Sequence, residues 1–328
     1  MLKAKNTALV DKIQKERGCA RSSARVYASN INRIHRDYLS STKRSGDLRW
    51  LYDHSDKLLA KLKKIENINT QRNLLAAALV GLDMQNAKSK KASYVKQIGA
   101  LNKKKDEIAR AGNLSEKQAA KFIRWKEIIK LRRLLSRTVR LGNFYSRKVS
   151  KREFTIMQQN VVLHLYTEMP PVRNDWSTVR YLTESEYEAE PKASKQANNF
   201  LVMGRGGYRV YWADYKTRKK HGILMNVLPK TLQTVLKRHI RYLKANYDNN
   251  FLLLNSNGGQ MSRNGLTKFL QRLFFKHFRK KTSTSALRSI FLSHTFDKKV
   301  LEKQLSIAKQ MHHTPEVARD FYVKQVNE

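Results

Sequence analysis

The chain has 328 residues, 41% of them apolar, which is enough to bury real cores and excludes a disordered basic tail. Lysine and arginine total 67 against 26 acidic residues, a formal charge of +41; such a chain repels itself unless it meets a polyanion, so nucleic acid is the leading partner, with a solvated basic surface or a ribosome-associated role as the plainer alternative. One cysteine, Cys19, excludes an intramolecular disulfide framework and multi-cysteine zinc motifs, and the longest apolar run, residues 74–82, falls short of the roughly 18 residues that cross a bilayer.

Met1-Leu2-Lys3-Ala4-Lys5 leads into polar sequence without an apolar signal-peptide core, which points to a soluble, intracellular protein. The length suggests two domains on the usual scale of roughly 100–200 residues each. The first hundred residues read as helices. Ser22 and Ser23 can cap one whose apolar face is Tyr27, Ile31, Ile34 and Tyr38. Gly46 breaks the chain; Leu58, Leu59, Leu62 and Ile65 mark a short helix, and Thr70 is a cap for the apolar helix through Leu74 and Leu82. A basic helix follows, with Tyr94, Ile98, Leu101 and Ile108 at helical spacing, until Gly112-Asn113 stops it. The domain boundary is placed there, giving a helical domain over residues 1–112 and a second domain over 113–328.

Ser115-Glu116-Lys117-Gln118 has the pattern of a capping box, and the helix it opens is expected to run to about Leu135. Another helix, from Phe154 to Tyr166, ends before Pro170-Pro171, because the residue before proline avoids helical angles. Strands are expected at Phe200-Leu201-Val202, at residues 208–212 after the Gly204-Arg205-Gly206-Gly207 turn, and, past a basic turn, at residues 222–228. Helices return from Pro229 onward. Glu184, Glu186, Glu188 and Glu190 form the acidic cluster of a basic chain; they read as solvated loop residues, or as a device holding a loop off DNA.

The most informative segment is Met311-His312-His313-Thr314-Pro315-Glu316-Val317-Ala318-Arg319-Asp320-Phe321-Tyr322. It resembles the last motif of the tyrosine recombinases (integrases), in which a histidine is followed nine residues later by the tyrosine nucleophile. His313 and Tyr322 have that spacing; His312 and Met311 replace the family's glycine and leucine. Ser285-Ala286-Leu287-Arg288 resembles the second motif, with Arg288 as the matching arginine and Ser285 where the family usually has histidine or lysine. Pro170-Pro171-Val172-Arg173-Asn174-Asp175 resembles the first motif, in the style of members from large DNA viruses and eukaryotic mobile elements, with Arg173 as its arginine. The family carries a catalytic lysine on a β-hairpin; Lys216, in Asp214-Tyr215-Lys216-Thr217, is the best match, and Lys219 and Lys220 stay open as alternatives. The resemblance covers about residues 115–328.

It implies a mainly α fold with a small antiparallel β-sheet: a helical core-binding domain joined to an α+β catalytic domain in a clamp around duplex DNA. It implies site-specific recombination by a homotetramer acting on two DNA sites, integrating or resolving a viral or mobile genome in the nucleus or a cytoplasmic viral factory. Tyr322 would form a 3′-phosphotyrosyl link that conserves bond energy, so that rejoining needs no ATP, and no cofactor or metal is expected. These residue types suit that chemistry. Guanidiniums at Arg173 and Arg288 are planar, permanently charged and able to donate paired hydrogen bonds to a phosphate, with His313 as a third donor. A phenol is mostly neutral at pH 7, so its attack needs a cationic surround and a proton acceptor. Lys216 would protonate the departing 5′-oxygen. Ser285 is a poor base, leaving His313, His312 or water to take the phenol proton.

Around this set, Trp125, Ile129, Trp176, Tyr181 and Phe291 read as core, while Glu168 and Asp175 read as structural carboxylates or as groups that orient the site. The residues after Tyr322, 323–328, are expected to be too few for a helix exchanged between neighbours. Two competing activities are kept: a type IB topoisomerase or hairpin telomere resolvase with the same chemistry, and a basic DNA-binding protein without catalysis.

Overall fold

The computed structural model describes residues 2–39, 48–111 and 114–311. The chain divides into two compact units, Met1–Asn113 and Leu114–Glu328.

In the first unit, helices α1 (Leu2–Arg17), α2 (Arg21–Leu39), α3 (Arg49–Asp53), α4 (Ser55–Lys63), α5 (Ile68–Asp83) and α6 (Lys88–Ala111) surround one apolar core. The face of α2 is Ala24, Ala28, Ile31 and Ile34, all buried, with Tyr27 and Tyr38 at its margin. This helix starts earlier than its serines suggest. The Ala20 carbonyl accepts from the Ser23 and Ala24 N–H groups at 2.9 and 3.0 Å, so Ser22 and Ser23 lie inside the first turn rather than capping it. Likewise Asn67, in extended conformation, caps α5 by accepting from the Thr70 N–H at 3.0 Å, and Thr70 is a residue of the helix. Helix α5 is buried nearly all round against α2 and α6, and its buried leucines, Leu74, Leu75 and Leu82, each contribute roughly 1.5–3 kcal/mol by leaving water. The breaks expected at Gly46 and at Gly112-Asn113 lie outside the described residues.

The second unit opens with α7 (Glu116–Ala119), whose capping box between Ser115 and Gln118 forms as the sequence indicates. The helix does not continue to Leu135: it stops at Ala119, and α8 (Trp125–Leu141) starts afresh from Arg124. The break turns Ile123 into the core, and the carbonyls of Lys121 and Phe122 are taken by Thr282 Oγ1 and Lys280 Nζ, each at 2.6 Å. Helix α9 (Lys151–Thr167) begins three residues ahead of Phe154, because Ser150 and Glu153 form a second capping box.

After a 3₁₀ turn, Asn174–Thr178, comes β1 (Val179–Thr183), which the sequence reading did not anticipate. The acidic cluster follows as helix α10 (Glu184–Ala189), capped by Thr183, and not as a loop. Two of its charges are used internally: Glu184 accepts from Arg209 at 2.5 Å and Glu190 from Arg180 at 3.1 Å. Helix α11 (Lys192–Ala197) leads to β2 (Asn199–Gly204) and β3 (Gly207–Trp212), then to a short α12 (Arg218–His221) and β4 (Leu224–Val227).

The sheet order is β1-β2-β3-β4. Strands β2, β3 and β4 pair antiparallel, but β1 runs parallel to β2, so the sheet is mixed and not antiparallel as expected. The parallel pair follows from the connection: α10 and α11 carry the chain back to the same end of the sheet, as a parallel crossover requires. Helices α13 (Lys230–Asn246), α14 (Arg263–Phe278), α15 (Thr284–Thr295) and α16 (Lys298–Gln310) complete the described chain. The core lies between the sheet and helices α8, α9, α13 and α14, with Trp176 edge-on to Trp212 at 4.8 Å and Tyr181 buried beside them. Trp125 and Phe291 meet edge to face at 5.4 Å, at the margin of that core; Ile128, rather than Ile129, is the fully buried residue of α8. Among the described residues no helix is long and apolar enough to cross a membrane.

Candidate nucleic-acid site

Arg173 directly precedes the 3₁₀ turn at 174–178, and its carbonyl accepts from the Tyr166 hydroxyl at 2.6 Å. That bond ties the end of the proline-containing connection to the buried face of α9, leaving the Arg173 side chain exposed. The next residue, Asn174, holds two helices at once. It donates from Nδ2 to Thr267 Oγ1 of α14 at 2.8 Å, and its Oδ1 accepts from Thr284 Oγ1 of α15 at 2.7 Å. Thr284 and Arg288 are four residues apart and share a face of α15. The Asn174 clasp therefore turns Arg288 toward the Arg173 segment, while Ser285, one position on, is exposed.

Asp175 marks where these groups meet. The residue is 9% exposed, and burial pushes its carboxyl above the ordinary carboxylate value. Arg263 opposes that rise and Asp214 adds to it, while Arg173 and Arg288 also draw it down. Both motif arginines thus act on one buried carboxylate, although they come from distant parts of the sequence. Asp175 is therefore the expected carboxylate that lies near both motif arginines.

Glu168 has a structural place. Its Oε1 accepts from His164 Nδ1 at 2.7 Å and faces Arg132 at 3.3 Å, and its Oε2 accepts from Thr231 Oγ1 at 2.8 Å. Burial pushes this carboxyl up, but the His164 and Thr231 hydrogen bonds and Arg132 more than reverse the effect, leaving it low. The result is a charged clasp joining α8, the end of α9 and the start of α13, directly upstream of Pro170.

Lys216 lies exposed in the connection between β3 and β4, as do Lys219 and Lys220 in α12. The basic turn expected there contains that short helix, which ends at Gly222 with φ +69° and ψ −153°, a conformation open to glycine. The start of the connection is fastened from below. Asn199, fully buried at the head of β2, accepts at Oδ1 from the Ala213 and Asp214 N–H groups at 2.9 and 2.8 Å. Its Nδ2 donates to the Asp214 carbonyl at 3.0 Å, to Thr178 Oγ1 at 3.1 Å and to the Asp175 carbonyl at 3.4 Å. One buried amide therefore links the Lys216 connection to the turn that follows Arg173.

Four of the expected site residues, Arg173, Lys216, Ser285 and Arg288, are described, and the first, second and fourth belong to segments joined through Asn174, Asp175 and Asn199. His313 and Tyr322 lie outside the described residues. The sequence reading missed Asn199, Thr284 and Arg263. Asn174 stood inside the quoted motif, whereas a lone asparagine ahead of an apolar strand is a usable but weak signal of a buried clasp. Among the described residues no group of three His, Cys, Asp or Glu side chains is placed to hold a metal ion. No family model, curated protein or solved structure matches this chain.

Proposed function

We propose that this protein cuts and rejoins DNA as a tyrosine recombinase does, with Tyr322 as nucleophile, acting on duplex sites as a homotetramer. The observation that supports the reading is that Asn174, next to Arg173, is bonded to Thr284 on the face of α15 that carries Arg288, while Asn199 clasps the Lys216 connection to the same turn. Two guanidiniums carried by segments joined in this way make a seat for a phosphate. They donate to its non-bridging oxygens as a fifth oxygen approaches phosphorus. The +41 charge supplies the long-range attraction to the duplex.

In the forward step the Tyr322 oxygen attacks phosphorus, forming a P–O bond to the phenol, and the bond from phosphorus to the 5′-oxygen breaks. The electron pair leaves on the 5′-oxygen, which takes a proton from the Lys216 ammonium; the phenol proton passes to His313, His312 or water. Rejoining is the reverse, by the 5′-hydroxyl of a partner strand.

A nicked duplex that loses a short 5′ fragment after cleavage traps the intermediate. Wild type is expected to give a covalent protein–DNA band on denaturing electrophoresis, and Tyr322→Phe none. A wild-type protein that binds the duplex with strong salt dependence but yields no adduct on any site would leave a DNA-coating role instead.

A further inference from the structure

Arg263 is the first residue of α14, in a first turn that carries no acidic residue. A cation there opposes the positive end of the helix dipole, so the position is unfavourable unless anions nearby compensate. Two do. The Arg263 Nη2 atom lies 3.1 Å from Asp214 Oδ2 and 3.4 Å from Asp175 Oδ1. The same nitrogen donates to the Asp214 backbone carbonyl at 2.7 Å. Arg263 thus touches both Asp175, two residues after Arg173, and the residue two positions before Lys216.

Asn199 makes a parallel link between these segments, but from inside the fold and mostly through backbone groups. Arg263 is the outer link, with 43% of its side chain exposed. Ion pairs that open to solvent add little to stability, so this arrangement contributes little as a fold stabiliser. Its geometry has another consequence: it sets the spacing between the phosphate seat and the exposed lysine.

We infer that Arg263 is a positioning residue for Lys216, holding the β3–β4 connection against the Asp175 carboxylate so that the ammonium reaches the departing 5′-oxygen. The inference rests on the phosphoryl-transfer reading above. Arg263 touches no reacting atom; it acts through Asp214 on the lysine two residues on. Loss of Arg263 should therefore slow proton delivery to the leaving group while sparing the attack itself.

The test uses the full chain and two nicked duplexes, one ordinary and one with sulfur in place of the scissile 5′-oxygen. In the second, the phosphorus–sulfur bond breaks and the sulfur leaves as a thiolate that needs no proton. Single-turnover adduct formation by Arg263→Ala is expected to fall on the order of 100-fold on the ordinary duplex, the lower range of a general acid's contribution. On the sulfur duplex it is expected to stay within about threefold of wild type, and Lys216→Ala is expected to show the same pattern. Arg263→Lys, which keeps a donor for the Asp214 carbonyl, should fall between the two, and it carries the test if the alanine variant folds poorly. Wild-type rates for Arg263→Ala on the ordinary duplex would overturn the inference, as would an equal loss on both duplexes, which would place Arg263 at the phosphate instead. If wild type forms no adduct with either duplex, it is the recombinase reading itself that has failed.

Discussion

Replacing Asn199 by alanine removes an acceptor shared by two consecutive backbone N–H groups, those of Ala213 and Asp214. Ala213 is 1% exposed, so its N–H has no route to water once the amide is gone, whereas Asp214 is half-buried and can recover a water. An orphaned buried donor costs roughly 1–3 kcal/mol, and the lost donations to Asp214 and Thr178 add to this, so the expected destabilisation is about 2–4 kcal/mol. A stability of roughly 5–15 kcal/mol survives that loss, and the variant should fold. Denaturant unfolding measures the change, and amide exchange should quicken at Ala213 and Asp214 more than in α9. Asn199→Asp keeps the accepting oxygen but buries a carboxylate near Asp175 and Asp214. Its carboxyl is therefore expected to titrate high, so that this variant gains stability as pH falls and loses it as pH rises. A loss below about 0.5 kcal/mol for Asn199→Ala, the usual span of an inert surface change, would show that the Asn199 amide does not hold this turn.

His239 is fully buried, and burial holds its ring down at about 4 from an ordinary 6.5. The unfolded chain therefore takes up a proton that the folded chain refuses between those values, so stability is lost as pH falls from 6.5 toward 4, by about 3 kcal/mol. Urea unfolding of His239→Phe, which keeps the stacking on Phe154, should lack that part of the acid loss. Ser285→Ala is expected to keep adduct formation within about threefold of wild type, since losing a true general base would cost 100-fold or more; a loss as deep as that of Tyr322→Phe would show that the serine has a chemical role. Duplex affinity should fall roughly 10³- to 10⁵-fold between about 50 and 200 mM salt if 6–10 phosphates are contacted, and a flat titration would argue against the duplex as partner. On a plasmid with two copies of a cleaved site, recombinant products are expected; relaxation alone would favour a topoisomerase.

Much of the helical framework was legible because apolar spacing and capping pairs are local. Ser115 with Gln118 needs only four residues to be read, and the buried stripe of α2 needs only Ile31, Ile34 and their neighbours. Helix starts were misread where two polar residues competed to cap. Asn67 takes the role given to Thr70, and a bare Ala20 opens the helix assigned to Ser22 and Ser23, because the local backbone angle decides and sequence does not display it. Strand β1 was missed for a different reason. Its short Val-Arg-Tyr-Leu-Thr run follows a motif rich in proline and polar residues, and its pairing is with β2 through two intervening helices. The acidic cluster looked solvated because Arg209 and Arg180, the partners of Glu184 and Glu190, are brought in only by the sheet. Of the candidate site, the side chains with a motif were found and the clasps were not. Arg173 and Arg288 stand in recognisable surroundings, whereas the values of Asn199, Thr284 and Arg263 depend entirely on what lies across from them.

The most direct test is the mass of the peptide that carries DNA. Trypsin after nuclease digestion of the trapped complex releases residues 320–324, Asp-Phe-Tyr-Val-Lys, with Tyr322 as its single tyrosine. This peptide is expected to gain a nucleotide through a 3′-phosphate on the phenol, and Arg173→Ala and Arg288→Ala are each expected to abolish the gain. Nucleotide mass on any other peptide, or an adduct that persists in Tyr322→Phe, would contradict it.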